Sequence, residues 1–176
     1  NKNQAKNLIV VVNADNLRMH GMNITRRLSW ERVAIDFAWQ IQNNDNFDYL
    51  KNLHHLIVRV GLDGAIYYSC DDRKNFRLFF DPKFTEDGYY DTCPGEMAGH
   101  ANAFTAALTT ELYWNGLDGI NKGIRLGLHA SRRMLKLGFG KHPDKLKYPI
   151  EEAFKEPDTE GHFEQKDVCL LYTSDA

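Results

Sequence analysis

"HHLIVRVGLDGAIYYS", residues 54–69, contains two β-strand patterns separated by a glycine-bearing turn. It contains a short apolar run at residues 56–60, whose length and composition predict a β-strand. A Gly-x-x-Gly turn made by Gly61 and Gly64 follows, and residues 65–68 are again rich in β-forming side chains. The stretch therefore predicts two strands joined by a tight turn, as a small antiparallel excursion.

Two further strands are predicted, one on either side of this stretch. Residues 8–12, LIVVV, form a continuous apolar run that suits a strand buried on both faces, and the polar residues Asn13 and Asp15 come directly after it. A parallel strand that ends at a functional site has this pattern. Downstream, FRLFF at residues 76–80 predicts a short strand that Pro82 stops.

Three helices are predicted from the spacing of apolar residues. The first follows Ser29, a residue type that caps helices, and has apolar side chains at a 3-4-3-4 spacing up to Ile41. The second spans residues 101–112, and the third lies within residues 119–140. The order β, α, β, β, β, α, α predicts an α/β layered sheet with flanking helices and an edge β-hairpin, in a single domain.

Composition excludes several classes of protein. The chain has 176 residues, of which 43% are hydrophobic and 26% charged, as expected for one globular domain. A net charge of -2 argues against a generally basic nucleic-acid binder, and the longest apolar run is too short to span a membrane. The three cysteines, Cys70, Cys93 and Cys169, are spaced too widely for a metal knuckle, which favours reduced thiols and a cytoplasmic location.

Both ends of the chain are unusual. It begins at Asn1 and reaches a buried-type strand within ten residues, which predicts that part of the protein lies upstream. Residues 151–168 are polar and predict a short helix and a tail after a main domain at residues 1–150. The last eight residues, CLLYTSDA at 169–176, resemble the translation of a sequencing adapter, and we expect them to be a non-native read-through from a metagenomic fragment.

A glycine-bearing turn opens the second helix, in GEMAGHANAFTAAL at residues 95–108. The first turn of a helix presents backbone N–H groups without intrahelical partners and the positive end of the helix dipole, which together favour phosphate. The alternative is that the glycine only allows close packing at the helix entry. The residues alone leave both interpretations open.

Four segments in this order resemble the C-terminal half of the ribokinase-like (PfkB) carbohydrate kinases. They are VVVNADN, RVGLDGAIYY, EMAGHANAFTAAL and GIRLGLHASRRMLKLGFG, and the resemblance covers residues 8–140. It implies a three-layer ribokinase-like sheet fragment that binds ATP and Mg²⁺. It further implies phosphoryl transfer to a hydroxyl of a sugar or a related small molecule, with the nucleotide and anion-hole half supplied here.

The resemblance assigns roles to particular residues. The anion hole falls on Ala98, Gly99 and Ala101, with His100 at the position of the catalytic base. The nucleotide-side turn falls on Gly61, Asp63 and Gly64, and the metal motif on Asn13 and Asp15. The bland alternatives are a local hydrogen bond for His100, a β-turn for the two glycines and a strand-end turn for Asn13 and Asp15.

Two departures from the family pattern affect the expected activity. His100 stands where the family has an aspartate, and the sequence after Asn13 lacks the glutamate of the family's Asn-x-x-Glu motif. The alternative function is therefore a catalytically inactive module that binds a nucleotide or a phosphorylated ligand for regulation. Since the acceptor-binding half lies outside the chain, we expect the fragment alone to be inactive. A homodimer of the full-length protein is left open.

A basic set on the third helix has two interpretations. It is most simply a solvated face whose aliphatic stems pack on the protein, and it could instead contact phosphate or a nucleic-acid backbone. No aromatic stacking motif accompanies it, so the sequence favours no nucleic-acid partner and no membrane partner. The set comprises Arg125, Arg132, Arg133 and Lys136.

Overall fold

The computed structural model describes residues 8–23, 30–51, 53–61, 64–69, 75–80, 99–136 and 164–169. Where one domain was expected, these residues divide into two compact units. The sheet unit consists of the described residues up to 80 together with residues 164–169. The helical hairpin consists of residues 99–136. Each unit is described by itself.

The sheet unit is built on a mixed sheet of five described strands. They are β1 (Ile9–Asn13), β2 (His55–Val60), β3 (Gly64–Ser69), β4 (Asn75–Phe80) and β5 (Glu164–Cys169), and they lie in this order across the sheet. β1 and β2 are parallel, and every later pair is antiparallel. The predicted α/β class is confirmed, and the predicted hairpin is β2–β3, which β4 and β5 extend.

Helices connect β1 to β2 as a parallel pair requires. They are α1 (Ala14–Met19), α2 (Trp30–Asn43) and the one-turn α3 (Asp48–Lys51), which follows a 3₁₀ turn at Asp45–Phe47. The predicted helix after Ser29 corresponds to α2, whereas α1 was not predicted. Ser29 itself lies outside the described residues.

One face of the sheet and these helices enclose a core of large apolar side chains. Phe37 of α2 meets Phe76 of β4 edge to face, with ring centroids 6.3 Å apart. Alternate residues of β2, β3 and β4 contribute to this core, because side chains alternate between the two faces of a sheet. The strand contributions are Leu56, Val58, Val60, Ile66, Tyr68, Phe76, Leu78 and Phe80.

On the central strands β2 and β3 the opposite face of the sheet is also buried, and it includes polar side chains. All six residues of β2 are buried, which explains its continuous apolar run. His55 and Arg59 are the two polar exceptions in this strand, at 6% and 2% exposure. A hydrogen bond of 2.8 Å joins Nδ1 of His55 to the hydroxyl of Tyr67, and Arg77 lies over the Tyr67 ring at 5.9 Å.

The fifth strand corrects a prediction. Residues 151–168 were expected to form a short helix and a polar tail, yet Glu164–Cys169 pairs with β4 along its whole length. The ion pair between Arg77 and Asp167, at 3.5 Å, links the two strands. Residues 165–167 are exposed, so the backbone pairing with β4 defines this edge strand. Its sequence has no alternation of apolar and polar residues from which a strand could be predicted.

The second unit is a helical hairpin of α4 (His100–Asn115) and α5 (Ile120–Lys136), joined by a 3₁₀ turn at Gly116–Gly119. Both helices confirm predicted ones. The hydroxyl of Ser131, near the end of α5, donates to the carbonyl of His100 at the start of α4 at 2.8 Å. The two helices therefore run antiparallel.

Glycines on α5 allow α4 to approach closely. A Cβ at Gly123 would lie 2.8 Å from Cδ1 of Leu108, and a Cβ at Gly127 would lie 2.7 Å from Cδ2 of Phe104. Both distances are shorter than any real carbon contact, so the absence of a side chain at these positions sets the helix separation.

Among the described residues, no helix is long and apolar enough to cross a bilayer.

Candidate functional site

The sheet brings three of the predicted site residues to one edge. Because β1 and β2 are parallel, their carboxyl ends lie at the same edge, with Asn13 in register with Arg59. β3 begins at that edge, since Val60 pairs with Gly64. Asn13, Gly61 and Gly64 therefore share the carboxyl edge of β1 and β2, where ligands bind in open α/β sheets.

The turn after β2 has the backbone geometry that its glycines permit. Gly61 has a φ of 62°, in the left-handed region that other residues rarely adopt, and Gly64 is the first residue of β3. The positive φ of Gly61 suits a tight hairpin turn. The nucleotide role of both glycines stays a prediction, and Asp63 lies outside the described residues.

An arginine that the sequence analysis missed lies beside Asn13. Nη1 of Arg59 donates to Oδ1 of Asn13 at 3.3 Å, across 46 residues of sequence. Arg59 is only 2% exposed, while Asn13 is half-buried. The register pairs Arg59 with Ala65 of β3 on its other side. The sequence signal that could have identified this residue is a single arginine within the otherwise apolar run at residues 56–60.

The second predicted metal ligand is also in contact with an arginine. Nη1 of Arg18 donates to Oδ1 of Asp15 at 2.6 Å, within the short helix α1. The Asp15 side chain is 57% exposed, so this ion pair adds about 0 to 1 kcal/mol of stability at most. Even so, the carboxylate of Asp15 faces the guanidinium of Arg18, which is a cation of the protein itself.

The oxygen atoms of Asn13 and Asp15 do not fit a magnesium site. Mg²⁺ requires oxygen donors in near-octahedral geometry, and each of these two side chains already accepts a hydrogen bond from a guanidinium. Among the described residues, no group of three His, Cys, Asp or Glu side chains is arranged to hold a metal ion. We therefore assign no metal ligand in the described part of the chain.

The predicted anion-hole turn lies at the start of α4. Gly99 is the N-cap with a φ of 90°, and its carbonyl accepts the N–H of Ala103 at 2.9 Å. The N–H of Ala103 is thus the first one that bonds to a carbonyl of the helix. The N–H groups of the three residues before it lie at the open end of the helix. The first turn carries no acidic side chain. His100 and Ala101 are half-buried in this turn, and Ala98 lies outside the described residues.

The basic set on α5 is less exposed than a solvated face. Arg125, Arg132 and Arg133 are all half-buried, and the side chain of Lys136 lies outside the described residues. Another basic residue of α5, Lys122, forms an ion pair with Glu111 of α4 at 3.4 Å. A contact of this basic set with phosphate or a nucleic-acid backbone therefore stays one of its two interpretations.

The fold is similar to that of a solved structure from Thermotoga maritima described as a possible 1-phosphofructokinase. The superposition has a TM-score of 0.51 at 13% identity, and it covers 90% of this chain and 41% of the other. The chain thus spans about two fifths of that kinase, and at this identity the likeness shows the fold alone. No protein-family model matches the chain, and no curated protein matches its sequence.

Proposed function

We propose that this chain is the nucleotide and anion-hole part of an ATP-dependent kinase that phosphorylates a sugar or a related hydroxyl compound. The observation that carries the proposal is Gly99, which opens α4 in a left-handed conformation at the predicted anion-hole position. The kinase-like fold supports it. A cytoplasmic location, where ATP is supplied, agrees with the reduced cysteines that the sequence predicts.

The first turn of α4 would stabilise the transferring phosphoryl group. Its backbone N–H groups and the helix dipole favour the negative charge that develops on the equatorial oxygens, and no carboxylate in the turn opposes it. Gly61 and Gly64, at the edge of the sheet, would lie on the nucleotide side. The Mg²⁺ ion supplies charge neutralisation when it arrives with the triphosphate.

His100 would occupy the position of the general base in this proposal. A neutral imidazole can accept the proton of a substrate hydroxyl, but a neighbouring triphosphate favours the protonated form, which leaves less neutral imidazole to act as a base near neutral pH. We therefore expect a slow reaction whose rate rises with pH. The acceptor would be bound by the part of the protein that lies outside this chain.

The second candidate function is a nucleotide-binding or phospholigand-binding module without catalysis. His100 and the missing glutamate after Asn13 favour it, because both changes remove a carboxylate that the family uses for chemistry. Both candidates share the same anion-binding turn. They differ only in turnover, so binding and catalysis must be measured separately.

Binding is tested by titrating ATP with Mg²⁺ into the 176-residue chain in a calorimeter, using two substitutions at Gly99. Gly99→Ala and Gly99→Asp both strain the backbone, but only the aspartate places negative charge beside the phosphate. We expect Gly99→Asp to abolish binding and Gly99→Ala to retain most of it. Equal binding by wild type and Gly99→Asp would remove the anion-hole assignment.

Catalysis is tested in the full-length parent by coupled detection of ADP release over a panel of sugars. His100→Asp should raise the rate if His100 holds the base position, because a carboxylate remains an unprotonated acceptor beside phosphate. Binding without ADP release in either protein favours the inactive module. A rate that His100→Asp leaves flat or lowers contradicts the placement of the base.

A further inference from the structure

Ser131 of α5 is bonded to the turn that the proposed function uses to hold phosphate. We propose that Ser131 is the positioning residue of this turn, and that its hydroxyl fixes the direction in which the N–H of Ala101 points. The inference rests on the proposed function, since that function places a phosphoryl group at the first turn of α4. It gives the second helix of the hairpin a role in ligand binding.

Small residues of α5, four positions apart, pack on residues of α4 that have the same spacing in the opposite direction. Residues four apart lie on one face of a helix, so these contacts form a single seam. The facing pairs are Gly123 with Leu108, Gly127 with Phe104, and Ser131 with His100. At both glycines an added Cβ would come within 2.8 Å of the facing side chain, so the helices lie too close to slide past each other. Ser131 therefore meets the start of α4 in a fixed register.

The peptide unit between His100 and Ala101 carries both the bonded carbonyl and a predicted anion-hole donor. The hydroxyl of Ser131 donates to the carbonyl oxygen of His100 at 2.8 Å. A trans peptide unit is planar, so the N–H of Ala101 points in the direction opposite to this carbonyl. The bond to Ser131 thus fixes the direction of that N–H. It also polarises the peptide unit, which makes the N–H a stronger donor.

Burial makes Ser131 a fixed anchor for this peptide unit. Ser131 is 0% exposed, so water does not compete for its hydroxyl, whereas His100 and Ala101 are half-buried. The preceding peptide unit is also held, because the carbonyl of Gly99 accepts the N–H of Ala103 at 2.9 Å. Two consecutive peptide units at the start of α4 are therefore fixed, one by α4 itself and the other by α5.

The loss of this hydroxyl should affect a ligand more than it affects the helix. A donor that already points at a phosphate oxygen needs no reordering when the ligand binds, which favours affinity. Without Ser131 the carbonyl of His100 keeps the N–H of Phe104 as its helical donor, so α4 stays formed. A positioning role therefore predicts weaker binding by a hairpin that is still folded.

The test compares Ser131→Ala with Thr110→Ala in the 176-residue chain. Thr110 is the matched control, because its hydroxyl also donates to a carbonyl of α4, that of Ala106 at 2.9 Å, but lies beyond the first turn. The probe is ATP with Mg²⁺, titrated in a calorimeter. We expect Ser131→Ala to weaken binding about threefold to tenfold, as the loss of one hydrogen bond does. Thr110→Ala should leave the affinity unchanged.

NMR spectroscopy of the ¹³C,¹⁵N-labelled chain without ligand tests the orientation itself. Ser131→Ala should shift the ¹³C resonance of the His100 carbonyl and the ¹⁵N resonance of the Ala101 amide more than other signals of the first turn, because only their peptide unit loses a bond. Thr110→Ala should leave both resonances in place. Shifts spread over both helices, without preference for this peptide unit, indicate a merely structural role and contradict the proposal.

The outcomes separate this inference from the proposed function. If the wild type binds ATP and Ser131→Ala binds it equally well, the inference alone is wrong. If the wild type does not bind ATP, the proposed function is wrong and the inference falls with it. Should Ser131→Ala not fold, Ser131→Cys replaces it, because a thiol is close to the hydroxyl in size but a weak donor. The same loss of affinity is expected for Ser131→Cys, and equal binding overturns the inference.

Discussion

Two fully buried phenylalanines show that the sheet unit and the helical hairpin are packed in different ways. Phe37 of the sheet unit meets the ring of Phe76 edge to face, at 6.3 Å between centroids. Phe104 of the hairpin instead lies over Gly127, where an added Cβ would come within 2.7 Å of the ring. In the core of the sheet unit, large side chains pack against one another. In the hairpin, a large side chain packs against the bare backbone of a glycine.

The two kinds of packing determine which substitutions each unit tolerates. Removing a large side chain from the sheet unit leaves a cavity whose walls relax only partly. Adding even one methyl group to the hairpin interface forces side chains or helices apart. Opposite changes in residue size should therefore destabilise the two units.

The largest effect is expected for Phe37→Ala in the sheet unit. The substitution removes a fully buried ring and its edge-to-face partner, and we expect the free energy of unfolding to fall by about 3 to 5 kcal/mol. Urea denaturation followed by circular dichroism measures it. Trp39→Ala on the same helix is the matched control, because Trp39 is 63% exposed and should change stability by less than about 0.5 kcal/mol. Equal effects of the two substitutions would contradict the core assignment.

A smaller loss is expected for Gly127→Ala in the hairpin. Alanine favours a helix over glycine by about 1 kcal/mol, so helix propensity alone predicts stabilisation. The contact with Phe104 opposes it, and since Phe104 is fully buried its ring cannot move aside. We expect a net destabilisation of about 1 to 2 kcal/mol, within the usual range for overpacking.

The double substitution Gly127→Ala with Phe104→Leu tests the cause of this loss. Leucine lacks the ring atoms that the new Cβ would meet, so the two changes together should cost less than the sum of the single ones. Native-state hydrogen exchange of the α4 and α5 amides locates the effect in the hairpin. If Gly127→Ala stabilises these amides, the helices are farther apart than the structure shows.

The sequence predicted the elements that periodic burial defines. β2 and α2 were predicted because a buried strand is a continuous apolar run and an amphipathic helix repeats with a period of 3.6 residues. β5 was missed since its residues 165–167 are exposed and polar, and only its pairing with β4 makes it a strand. α1 was missed because Asn13 and Asp15 favour a turn as much as a helix start.

In the candidate site, the backbone conformation at two glycines was predictable from the sequence, but the arrangement of the side chains was not. The glycine at the start of α4 and the turn at Gly61 could be located from residue type, because few other residues adopt a positive φ. The contact of Asn13 with Arg59 depends on the register of two strands whose residues are 46 positions apart. No local pattern encodes that register, so the metal assignment could be questioned only from the structure.

The smallest expected effects come from two hydroxyl groups, one in each unit. Tyr67→Phe removes the buried hydrogen bond to His55 in the sheet unit, and Ser131→Ala removes the bond to the His100 carbonyl in the hairpin. We expect the free energy of unfolding to fall by about 1 to 2 kcal/mol for Tyr67→Phe and by about 0.5 kcal/mol for Ser131→Ala. Urea denaturation under identical conditions measures both.

The order of these two losses follows from what each substitution leaves behind. Removing the tyrosine hydroxyl takes a polar partner from a ring nitrogen in a side chain that is 6% exposed, and burial makes that loss costly. In Ser131→Ala the acceptor is a helix carbonyl, which keeps the N–H four residues along as a donor, and alanine is also the better helix former. If Ser131→Ala costs more than Tyr67→Phe, the bond from α5 to His100 holds the start of α4 in place. Its loss would then also weaken the proposed binding of ATP at the Gly99 turn, which the calorimetric titration with ATP and Mg²⁺ would detect.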